Sequence, residues 1–155
     1  MKHIKFIILV IISALIMALL EIQTEGSSGW AANLPTWRIG VDYSIFDYVG
    51  LHGKNITGYH IYLWLFAFVL PHFSFLVTKW TLKRELYLMS FYALFTTIEG
   101  ILWFVFNPYF SWANFRKENI PWYDEYWLLG FPIEYWFRFA GAGVLYFFSE
   151  RMKDK

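Results

Sequence analysis

Several ionisable side chains stand inside stretches of this chain that are otherwise apolar, at spacings that chemistry can use. Glu99 lies within LYLMSFYALFTTIEGILWFVF, and Glu134 and Arg138 lie four residues apart within LLGFPIEYWFRFAGAGVLYFF. If both stretches are helices, a rise of about 1.5 Å per residue sets their depths. Glu99, seven residues before Phe106, sits roughly 10 Å below one end of its helix. Glu134, six residues after Leu128, sits roughly 9 Å below the end of the next. Two antiparallel helices then bring two carboxyls to one level, with the Arg138 guanidinium one turn deeper on the Glu134 face. Glu99, Glu134 and Arg138 are therefore the candidate catalytic set: one carboxyl as acid, one as base, and a cation deciding which holds the proton.

Three more residues belong to the same neighbourhood. Trp103 and Asn107 follow Glu99 at successive i+4 steps, so the three form one stripe; Trp103 reads as a site wall and Asn107 as an amide that orients a ligand. His60 falls at the mouth of the preceding apolar stretch. These three are the candidate ligand-binding residues. Carboxylates with a histidine also suit a divalent metal, and Glu25, His60, Glu99 and Glu134 are the candidates for one. A bland arrangement competes with all of this. Glu134 and Arg138 can pair within one helix, with Glu99 accepting from the same guanidinium, and so fix helix register alone. Glu21 and Glu25 read as residues of the water boundary. His72, after Pro71, reads as bonding the carbonyl that the proline leaves unpaired.

These groups need elements to hold them. Residues of the hydrophobic set make up 58% of the 155-residue chain and charged ones only 16%, against about 25% charged in a soluble domain. Four stretches have the roughly twenty residues that a bilayer's apolar core requires: about 6–22, 58–78, 86–106 and 128–148. The first also has the form of a signal peptide. A retained helix is preferred, because the run leads into Glu21 and Glu25 and no A-x-A-like site follows closely. Pro71 predicts a kink in the second span, and Asn107-Pro108 predicts the end of the third. Gly141, Ala142 and Gly143 offer a small-residue patch for close helix contact. Val41, Ile45, Phe46 and Val49 share one helical face and predict a short interfacial helix in the first outer loop.

The fold expected is all-α: a four-helix transmembrane bundle forming one integral membrane domain. Basic residues orient it. An inner N-terminus leaves Lys2, Lys5, Lys79, Lys83, Arg84, Arg151, Lys153 and Lys155 inside, against Arg38, Lys54, Arg116 and Lys117 outside. That asymmetry predicts both termini inside, and the cell (plasma or inner) membrane as the location.

Absences narrow the function. The chain has no cysteine, which excludes disulfides, thiolate metal sites and iron–sulfur clusters. A net charge of +1 gives no basic face for nucleic acid. No phosphate-binding glycine loop, H-E-x-x-H or G-x-S-x-G motif occurs, and no cofactor is specified. The expected partners are the lipid bilayer, a lipid-like small molecule and a membrane partner protein. The expected function is an outer-leaflet polar pocket of Glu99, Glu134, Arg138 and His60 that binds or processes an apolar or amphiphilic molecule. Two alternatives stand beside it: a non-enzymatic accessory subunit of a membrane complex, and the carboxylate–histidine metal site.

Overall fold

The computed structural model describes residues 2–39, 55–120 and 126–153. The predicted interfacial helix around Val41–Val49 lies outside them. The described chain is mostly helical, with four α-helices: α1 (Lys2–Glu25), α2 (Gly58–His72), α3 (Leu82–Phe106) and α4 (Ile133–Arg151). Two short antiparallel hairpins accompany them. Strand β1 (Arg38–Ile39) pairs with β2 (Ile56–Thr57), and β3 (Trp127–Leu128) pairs with β4 (Phe131–Pro132). Three of the helices are long and apolar enough to cross a membrane: α1, α2 with its 3-10 extension to Leu76, and α3.

Helix α3 is central. Along α1, Phe6, Val10, Ala14, Ala18 and Ile22 are buried at steps of four, the single stripe by which one helix faces another. The two alanines are fully buried and let the backbones approach. Phe6 rests on Tyr87 near the start of α3, and Ala18 and Ile22 join Trp103 and Phe104 near its end, so α1 and α3 run parallel. Helix α4 runs against them, since Ser90 Oγ of α3 donates to Ala142 O at 2.9 Å and Tyr146 reaches Tyr87. Helix α2 also runs against α3: Tyr92 OH donates to Trp64 O at 3.2 Å, and His72 Nε2 meets Glu85 Oε1 at 3.1 Å. Within α2 only Gly58 and His60 are buried.

Local chemistry sets the helix ends. Thr57 caps α2, its hydroxyl accepting the His60 N–H at 3.2 Å. Gly58 has the Trp37 indole where a Cβ would stand, 2.3 Å from Nε1, so any larger residue here must displace the indole or the helix start. Past Pro71 the chain tightens into a 3-10 turn over Phe73–Leu76. His72 Nδ1 does bond a carbonyl there, at 2.7 Å, but it is Phe68 O and not the Ala67 oxygen that the proline leaves. Thr81 caps α3, and Asn107 ends it as predicted.

Two expectations change. Helix α4 starts at Ile133 and not at Leu128, because Leu129 (φ 51°) and Gly130 (φ 82°) turn the chain into a hairpin first. Two successive positive φ values are those of a type I′ turn. The small-residue patch also splits. Ala142 is fully buried against α3, whereas a Cβ on Gly141 or Gly143 would meet nothing within 4 Å.

Candidate functional site

Polar side chains gather near the Glu25 end of α1, in two groups. The first joins α1 to α2. Gly26 ends α1 in the left-handed region (φ 66°), its N–H on Ile22 O at 3.1 Å. The chain then folds back through Gly29, Trp30 and Ala31, all at positive φ. A tryptophan there is an uncommon conformation, held only where its surroundings fix it. Here they do. The Ala31 N–H donates to Glu25 Oε1 at 2.6 Å, the Trp30 indole donates to Asn55 O at 2.9 Å, and the Arg38 guanidinium donates to the Ala31 and Ala32 carbonyls.

This turn lays Trp30 on the His60 ring, stacked at 4.0 Å and 22°. His60 is 3% exposed and both ring nitrogens are taken: Nδ1 by Thr57 Oγ1 at 2.7 Å, Nε2 by Glu25 Oε1 at 3.1 Å. Every group is satisfied when the Thr57 hydroxyl donates to Nδ1 and Nε2–H donates to the Glu25 carboxylate. Glu21 and Glu25, expected at the water boundary, are both buried, at 7% and 5% exposure. The turn over residues 26–34 covers the end of α1 that would otherwise meet water. Thr24 Oγ1 and Tyr59 OH, 2.7 Å apart, close the junction on the other side.

The second group is the α3 stripe. The Glu99 carboxyl has that of Glu21 as a neighbour across the α1–α3 contact. Glu99 Oε1 is buried and makes no hydrogen bond among the described residues; nor do Trp103 Nε1 and Asn107 Nδ2. Trp103 is 5% exposed and Asn107 1%. The Asn107 amide is oriented by its other atom, because Oδ1 accepts the Tyr109 and Phe110 N–H groups at 2.9 and 3.3 Å. Its two N–H donors therefore face away from the capped turn. Aromatic and aliphatic side chains surround the stripe: Trp103 packs in one cluster with Phe104, Phe115, Ile120 and Tyr135.

The predicted residues are thus partly brought together. Glu99, Trp103 and Asn107 form one wall. Arg138 is close enough for its charge to act on Glu99 and on Tyr92, but it makes no ion pair with Glu134 among the described residues. Glu134 is half-buried in the first turn of α4. Glu99 has Glu21 as a carboxyl neighbour, which the sequence did not point to. His60 spends its ring on Glu25 and Thr57. Among the described residues no three His, Asp or Glu side chains converge as ligands around a metal would. Thr57, Trp30 and Tyr59 belong to the polar junction and were missed; only the position of Thr57 just before a helix start signalled it.

Fold and site together define a mostly helical protein with a buried polar centre between helices apolar enough for a membrane. No family model matches the chain, and no curated protein or solved structure matches it either.

Proposed function

We propose that this is a multi-pass integral membrane protein of the cell (plasma or inner) membrane, a four-helix bundle with both termini inside. Its outer-half polar pocket binds, or binds and processes, an apolar or amphiphilic small molecule. Glu99, Trp103 and Asn107 form the polar wall, with Glu134, Arg138 and His60 around it. The observation that carries the reading is the row of buried atoms without a partner among the described residues, Glu99 Oε1, Trp103 Nε1 and Asn107 Nδ2. A buried polar group without a partner costs about 1–3 kcal/mol, and three on one helix face need a reason. A ligand that pairs with them supplies it.

The row also describes the ligand. An indole N–H and an amide NH2 demand acceptors, and Glu99 Oε1 accepts from a hydroxyl. An uncharged head that carries a hydroxyl meets all three, donating to Glu99 Oε1 and accepting from the two N–H groups, and its apolar remainder fits against Phe104 and Phe115. If the molecule is processed, Glu99 is the group placed to exchange a proton with it, with Glu21 and Arg138 as its charged neighbours.

The test is mass spectrometry of an organic-solvent extract of the protein purified in mild detergent. The wild type should retain one amphiphile near stoichiometry. Glu99→Gln should lose it at least tenfold while the unfolding midpoint stays put. Equal retention by both proteins would remove the proposal.

A further inference from the structure

Helix α2 is buried at its Gly58 end and bare at the other, where Phe73, Leu76 and Val77 are 57%, 83% and 87% exposed. Its far half meets α3 through one polar contact among the described residues, His72 Nε2 with Glu85 Oε1 at 3.1 Å. Both ring nitrogens of His72 face acceptors, because Nδ1 lies 2.7 Å from Phe68 O. Glu85 is held from its other side, where Oε2 accepts the Trp80 indole N–H at 2.9 Å. The Phe68 and Phe75 rings flank the imidazole, with centroids at 4.5 and 5.8 Å. The charges around the pair are few. Glu85 acts on the ring from α3, and the ring and the Trp80 indole act on Glu85. Of the cations in the same first turn of α3, Lys83 acts on Glu150 and Arg84 donates to Lys79 O. His72 also stands in the last turn of α2, where a helix favours a cation.

Two acceptors need two protons, and only the imidazolium donates to Phe68 O and Glu85 Oε1 together. A neutral ring carries one N–H. It keeps one bond and turns a lone pair toward the other oxygen. We propose that His72 and Glu85 form a pH-sensitive latch between α2 and α3, closed while the ring is charged and released as pH rises through its titration. The element it holds is the exposed end of α2. Ser74, Phe75 and Thr78 there form one side of a cleft of about 400 Å3, whose other sides come from the starts of α1 and α3 and the end of α4. The latch therefore sets how wide that cleft opens. It uses no residue of the Glu99 pocket and stands or falls apart from it.

The chain has no cysteine, so a pair introduced for spin labels labels cleanly. Leu76→Cys on the end of α2 and Phe148→Cys on α4 replace residues 83% and 55% exposed. Electron–electron resonance then reads the distance between them, on the full chain in phosphatidylcholine vesicles. The range is about pH 6 to 9, above the ordinary carboxyl value of about 4.3. The labelled parent should show one short distance at the acid end. A longer one should grow about fivefold in share by the alkaline end, as expected from losing one partly exposed charged contact. His72→Leu should show the longer distance throughout. Glu85→Gln should stay closed throughout, because a neutral ring can donate Nδ1–H to Phe68 O and accept from the new amide at Nε2. A parent distance that ignores pH, a closed His72→Leu, or an opening with pH that persists in Glu85→Gln would each overturn the proposal.

Discussion

The two polar groups near the Glu25 end are equally buried and differently finished. At the α1–α2 junction both His60 ring nitrogens, the Thr57 hydroxyl and the Ala31 N–H have protein partners: Thr57, His60, Glu25 and the Ala31 N–H form one connected chain. Along α3, a few residues away, Glu99, Trp103 and Asn107 each leave one buried polar atom unpaired among the described residues. Burial alone therefore does not mark function. A closed network fixes how two helices meet, whereas open hydrogen-bonding capacity in an apolar wall is addressed to something else.

Breaking the closed network should have the largest effect on stability. Glu25→Ala leaves His60 and the Ala31 N–H buried without their acceptor, and removing one partner of such a pair costs about 3 kcal/mol or more. Unfolding in mixed micelles should show that loss, and Trp30 fluorescence should shift as its ring leaves His60. A loss under about 1 kcal/mol would mean the junction is not closed as described. Next comes Gly58→Ala. Its Cβ would stand 2.3 Å from the Trp37 indole nitrogen, so the indole or the helix start must move. The expected cost is about 1–3 kcal/mol, measured in the same assay.

The third effect is smaller and depends on pH. Lys2 holds the Glu150 carboxyl below its usual range through their hydrogen bond. A carboxyl lowered on folding stabilises the fold above its unfolded value of about 4.3 and loses that contribution as pH falls through the folded value. The pair is partly exposed, so it contributes less than about 1 kcal/mol. Glu150→Gln should remove that share above about pH 4.3 and make no difference well below it. The smallest effect on stability belongs to the open row. Trp103→Phe deletes an unpartnered N–H along with some packing, and the two changes should nearly cancel, within about 1 kcal/mol.

The sequence made the long elements readable and the junction unreadable. Helices α1 and α3 follow directly from apolar runs with clear ends: Asn107-Pro108 stops α3 where the backbone preference before proline requires. The Glu99, Trp103 and Asn107 stripe needed only the period of a helix. The apolar pattern starts the fourth span five residues before α4 begins, because LLGFP is as apolar as the helix it precedes; only the turn at Leu129-Gly130 separates them. The burial of Glu25 depends on a left-handed turn at Trp30 and Ala31, residues with no preference for it, so no local rule reveals it. For the same reason depth along the helices sets Glu99 level with Glu134 but does not reveal that the packing of α1 on α3 also brings Glu21 near it.

The central claim is that the α3 row is open to a ligand, and the Trp103 indole reports on it directly. In 15N-labelled protein, the indole N–H resonance lost in Trp103→Phe identifies that group. Its proton shift should lie at the weakly bonded, upfield side in protein stripped of its amphiphile. It should move downfield when the extracted molecule is returned, while the Trp30 indole, already bound to Asn55 O, stays in place. A Trp103 resonance that is already downfield in the stripped protein, or that does not move, would contradict the account.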